Sequence, residues 1–252
     1  MNLKSKNPFL GQRIFTNTSR ANEEVIVAYN DSMTVSGTIN KSFALLLLLI
    51  AAATISWWFT ANGFNPLILT AGGGIIGFIL VLIAIFKPSR STWAAPGYAL
   101  FEGLFIGGIS AFFEAAYPGL VIQAVGCTFV TFVVCFALYK YRIVKVTETF
   151  KSVVIAATLA IASFYLLSWI LSFFINFTPI HHGNSLMSIG ISVFVIIIAA
   201  LNLFLDFDSI ETGAERQHPK YMEWFGAMGL MITLVWLYVE FLHLLSKLSS
   251  RD

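Results

Sequence analysis

Asp206, Asp208 and Glu240 are carboxylates set in or against stretches of hydrocarbon length. One apolar run ends Asn202-Leu-Phe-Leu-Asp206-Phe-Asp208, a short polar turn follows, and a second apolar run carries a lone Glu240. Glu102 interrupts a third run among several glycines. Acids embedded in such segments are costly and usually face a bundle interior or a wet cavity. The chemistry open to them is proton exchange and attraction of cations. Hard divalent cations prefer oxygen ligands, which these acids and Asn202 would supply. The proton affinity of a carboxyl group depends on its solvation and on neighbouring charge, so a bundle built around such groups is expected to respond to pH.

A structural role stays open for each acid. Asp206 lies at one end of its run, where a carboxylate can snorkel or cap, and Asp208 is one step nearer water. Glu240 and Glu102 lie further from the ends of their runs, where packing alone needs no charge. His243, one turn after Glu240, is placed to share a proton with it or to sit at an interface. His181-His182 is too short a cluster for a metal site, and neither a metal nor a cofactor is expected.

The elements that must position these residues are apolar helices. The chain has 252 residues, 58% of them hydrophobic and 11% charged, with mean hydropathy +0.81. A soluble domain carries roughly 25% charged residues, so an ordinary globular protein is excluded. The net charge is only +2 and the basic residues stand at segment ends, which leaves no footprint for nucleic acid. Cys127 and Cys135, about two helical turns apart in one apolar run, are packing residues rather than a disulfide.

Residues 1–39 form a polar, cytoplasmic tail, and residues 40–252 a transmembrane domain. The first apolar run begins only near Phe43, so no cleavable leader is expected. Seven runs follow, at about 43–59, 66–86, 93–116, 120–139, 153–174, 186–205 and 222–245. Each is near the ~20 residues needed to cross ~30 Å of hydrocarbon, and backbone in lipid must satisfy itself, so each is expected to be helical. The fold class is all-α: a seven-transmembrane-helix bundle in the lipid bilayer. With the N-terminus inside, thirteen of the fifteen basic residues fall on the inner side and only Lys247 and Arg251 outside. That asymmetry predicts a cytoplasmic N-terminus and an external C-terminus. Small residues make stripes suited to close helix contact: Gly73 and Gly77, then Gly103, Gly107 and Ser110, then Gly226, Gly229 and Thr233.

The order of motifs carries a resemblance. Asn7-Pro-Phe-Leu10 is followed by Phe101-Glu-Gly-Leu-Phe-Ile-Gly107, Tyr117-Pro-Gly119, Leu203-Phe-Leu-Asp206-Phe-Asp-Ser-Ile210 and Trp236-Leu-Tyr-Val-Glu240-Phe-Leu-His-Leu-Leu245. From about Asn7 onward the chain resembles the Bax inhibitor / YccA-like family, in a bacterial branch with a longer N-terminal tail. The resemblance implies a seven-helix fold with the last helix central, in a bacterial inner (plasma) membrane. It also implies a calcium leak in which acids on the sixth and seventh helices share a proton. Asp206 matches the first of these acids and Glu240 the second, with Glu in place of Asp. Lys87 or Arg90 would correspond to a basic latch.

Thirty-four residues separate Asp206 from Glu240, more than the family pattern implies. In a tight hairpin turning near residues 212–219, Asp206 would stand opposite Gly226 and the two acids about 20 Å apart. Asp206 and Asp208 would then gather near Glu223, and Glu240 would meet Glu114 or Glu102. The expected function is a proton-sensitive cation (calcium) leak channel. The rival is a non-conducting regulator that binds other membrane proteins, such as a membrane protease, through its tail. An enzyme is not expected: two aspartates this close in sequence cannot face each other as a protease pair, and no zinc motif, nucleophile elbow or phosphate loop occurs.

Overall fold

The computed structural model of the chain describes residues 31–174, 183 and 185–250. The Asn7-Pro-Phe-Leu10 motif, most of the tail, and His181-His182 lie outside the described residues. Seven helices are long and apolar enough to cross a membrane. They are α1 (Val35–Ala61), α2 (Pro66–Phe86), α3 (Ser91–Ala116), α4 (Leu120–Lys140), α5 (Glu148–Phe174), α6 (Leu186–Glu215) and α7 (Met222–Ser249). A single 3-10 turn, Pro88–Arg90, joins α2 to α3.

The helix ends follow local chemistry. Thr34 caps α1 by accepting from Gly37 N at 3.0 Å, and Asn65 caps α2 ahead of Pro66, whose missing N–H costs nothing at that position. Gly119, at φ +84°, makes the turn between α3 and α4. Helices also run past the apolar segments that announced them. α1 starts at Val35, inside the polar stretch, and α5 starts at Glu148. α6 continues about three turns beyond Leu205, because Glu, Ser, Thr and Ala there tolerate helix once it is nucleated. Asp206 and Asp208 therefore sit within a helix rather than just after one.

α7 packs against α1, α3, α4 and α6, while α2 leans on α3, and α5 on α6. The last helix is thus the inner one, and Leu237, Leu242 and Met228 on it are fully buried. Leu67, Ile75 and Phe78 on α2, and Leu159, Leu166 and Trp169 on α5, are exposed. Large apolar side chains displayed so densely suit lipid rather than water.

Glycine sets the spacing of α2, α3 and α1. A Cβ on Gly73 would stand 2.5 Å from Phe101 O, and one on Gly103 would stand 2.7 Å from the Ala52 Cβ. Gly73→Ala must push α2 off α3, because the obstacle is backbone. The expected loss is about 1–3 kcal/mol, read as a lower unfolding temperature in detergent. A Gly126→Ala control, where an added methyl meets open space, should leave that temperature unchanged.

Candidate functional site

The C-terminal half of α6, the N-terminal half of α7, the start of α5 and the α6–α7 turn border a cavity of about 550 Å³. Asp206 and Gly229 line it, and Asp208, Lys151, Arg216 and His218 stand around it. Asp206 arrives there from α6 and faces Gly229 on α7. A Cβ added at Gly229 would lie 3.7 Å from Asp206 Oδ1. Thr233, one turn further along α7, faces the same carboxyl group. The other oxygen, Asp206 Oδ2, is buried and has no hydrogen-bond partner. Unmatched buried acceptors are rare in folded proteins and call for a reason.

Asp208 does not join Asp206. It turns toward α5 and pairs with Lys151 Nζ at 2.9 Å, which also meets Glu148 at 3.1 Å. The cavity is therefore lined by a residue with one buried, unmatched carboxyl oxygen and has a cation held by two acids beside it. Lys87 forms the C-cap of α2, and Arg90 belongs to the 3-10 turn. Ion pairs among the described residues include Lys41–Glu223, Arg142–Glu211 and those of Lys151. Lys151, from a helix start that the apolar run left out, is the cation paired with Asp208 beside the cavity.

Glu240 occupies a separate place, in the C-terminal half of α7. It is 3% exposed and accepts hydrogen bonds from Tyr165 of α5 at 3.1 Å and from Trp236 Nε1 at 3.3 Å. Two turns on, Lys247 turns inward and donates to Ser192 Oγ at 2.7 Å and Ser188 O at 3.4 Å. Thr233 and Glu240 are seven residues apart, about 10 Å of helix rise. Asp206 thus faces Gly229 and Thr233 rather than Gly226, about one to two helical turns nearer Glu240 than a tight hairpin implied, while Glu240 bonds to Tyr165 and Trp236 instead.

The remaining candidates are distributed. Glu102 is half-buried midway along α3, with Oε2 2.9 Å from where a Cβ on Gly77 would stand. It lies on the α2–α3 seam, away from Glu240. Glu114 accepts from Gly119 N at 2.7 Å and Val121 N at 3.1 Å, satisfying orphan amides at the start of α4. Asn202 donates to Thr158 Oγ1 and Ile198 O, both at 2.8 Å, and ties α6 to α5. The His243 ring meets Phe113 edge-on. Glu223 is fully buried but bonds to Thr34 and Lys41, away from Asp206 and Asp208.

Lys151, Tyr165, Trp236 and Lys247 were not legible as site residues. Lys151 counts as a loop cation by sequence, and aromatic residues are too frequent in this chain for one tyrosine to stand out. Lys247 carried a signal: it follows Glu240 by seven residues, which is one face of a helix. Among the described residues no group of three or more His, Cys, Asp or Glu side chains is arranged to hold a metal ion.

A family model described as Bax inhibitor 1 like matches residues 7–250. No match was found among curated proteins.

Proposed function

Since the chain belongs to the Bax inhibitor 1 like family, a family model spanning nearly all of this multi-pass membrane protein, we propose that it is a pH-sensitive cation leak channel that passes calcium. It works without enzymatic chemistry. The observation that carries this reading is Asp206 Oδ2, a buried carboxyl oxygen without a partner, beside a cavity of about 550 Å³. A protein gains no stability from such a group, which is free to take a proton or to meet a passing cation.

Calcium held firmly takes about 6–8 oxygen ligands. Asp206 offers one unmatched oxygen, and Asp208 is already engaged by Lys151. So sparse a set suits a partly hydrated ion in transit rather than a stored one. Glu240, about 10 Å of helix beyond Thr233, is the second station toward the other side. Protonation at Asp206 changes the charge that an ion meets there, and this is the source of the pH response.

The orientation has the N-terminus cytoplasmic and the C-terminus outside, in a bacterial inner membrane. It is supported by the thirteen basic residues on one side. It is supported further by Lys247, one of the two on the other side, whose ammonium is turned into the bundle.

The test is flux into liposomes loaded with a calcium indicator, with the purified protein reconstituted and the pH varied. Calcium entry above that of empty liposomes, changing with pH, is the expected result. Entry equal to that of empty liposomes, with the protein folded, would sink the channel reading. It would favour a non-conducting regulator that binds other membrane proteins.

A further inference from the structure

The four residues ahead of α1 do not simply lead into it. Ser32 pairs with Pro219 as an isolated antiparallel bridge. Met33 N donates to His218 O at 2.6 Å, and Lys220 N donates to Asp31 O at 2.8 Å. Residues 31–34 thus lie as a strap along the α6–α7 turn, the same turn that borders the inner cavity. Met33, 4% exposed, lines that cavity. Its thioether lies between α6 and α7: Sδ is 2.8 Å from where a Cβ on Gly213 would stand, and Cε is 3.6 Å from one on Gly226. Glycine at 213 is what lets the methionine enter.

One side chain holds the strap from behind. Glu223, at the start of α7, is fully buried. Its Oε1 accepts from both Thr34 N and Thr34 Oγ1 at 2.9 Å, and its Oε2 pairs with Lys41 of α1. Gly37 leaves the space for the carboxylate. Charge-assisted bonds of this kind are about twice as strong as neutral ones. The hydrogen bonds of the Glu223 carboxylate go to Thr34 and Lys41, across to the strap and the start of α1.

We propose that residues 31–34 are a gating strap: Met33 walls the inner cavity between α6 and α7, and Glu223 is the clamp that keeps it seated. Unseating the strap widens inner access to Asp206. This rests on the cavity at Asp206 being the ion path, as argued above, but its test needs no ion flux.

Gly229→Cys supplies the reporter. Its added Cβ meets Asp206 Oδ1 at 3.7 Å, an ordinary contact, and places a thiol beside that carboxyl. In full-length protein with Cys127 and Cys135 replaced by alanine, a membrane-impermeant methanethiosulfonate reagent is applied to the inner face of inverted vesicles. Met33→Ala is expected to raise the rate of modification at residue 229 at least about tenfold, as for local opening of a few contacts. Glu223→Gln, which keeps an acceptor for Thr34 but loses the ion pair, is expected to raise it as well. An unchanged rate in Met33→Ala, with the protein monodisperse, overturns the wall. A rise with Met33→Ala but none with Glu223→Gln overturns the clamp. Because labelling reports access alone, absent calcium flux would count against the channel and leave this result standing.

Discussion

Asp206→Asn is expected to flatten the pH response of calcium flux from about pH 5 to about pH 8, where the unaltered protein changes several-fold. Asparagine keeps the size of aspartate, so Gly229 and Thr233 still accommodate it. What it removes is the ability to change charge. The other ionisable groups around the cavity are Asp208, Glu148, Lys151, Arg216 and His218. Asp208 and Glu148 are tied to Lys151, so His218→Gln is the control to make beside the first variant. A response that survives in Asp206→Asn removes Asp206 from the mechanism, and one lost only in His218→Gln moves the sensor to the turn. Glu240→Gln separates the two stations. Glutamine can still accept from Tyr165, so the fold is preserved while the ability of residue 240 to carry charge is lost.

The second large effect is on stability. Glu223→Ala is expected to cost about 3 kcal/mol, read as a fall in unfolding temperature in detergent. The loss has a definite cause. Lys41 is only 19% exposed, so its ammonium keeps little compensating water when the carboxylate goes, and the amide and hydroxyl of Thr34 lose their acceptor together. Lys41→Met in the same background is the discriminating measurement. If the ion pair is the main term, the double variant should recover part of the loss, because no buried charge is then left unmatched. A Glu223→Ala protein as stable as the original would mean that water replaces the carboxylate, and the strap would lose its clamp.

The count of membrane helices could be read from the chain because hydrocarbon imposes it. A run of about 20 apolar residues has no other way to satisfy its backbone in lipid. The same rule gave poor boundaries. Polar residues past the hydrocarbon are free to stay helical, so α6 runs to Glu215, and α5 takes in Lys151. Counting residues at 1.5 Å each overstated the separation of Asp206 from Glu240, because α6 and α7 meet in a different register, with Asp206 against Gly229 and Thr233 rather than Gly226.

Partner choice was a different matter. Sequence reasoning placed Glu240 with Glu102 or Glu114, and Asp208 with Asp206 near Glu223. In the folded chain Glu240 meets Tyr165 and Trp236, Asp208 meets Lys151, Glu114 caps α4, and Glu223 holds Thr34 and Lys41. Hydropathy says which residues leave water, but it carries no information on the rotation of one helix about its axis relative to the next. A rotation of about 100° per residue decides which side chain a carboxylate faces. By itself, then, the sequence determined a seven-helix membrane bundle and its family. Only the packing of α5, α6 and α7 decided that Asp206 keeps an unmatched oxygen while every other acid near it is paired, because pairing depends on helix rotation and on which glycines let the backbones close.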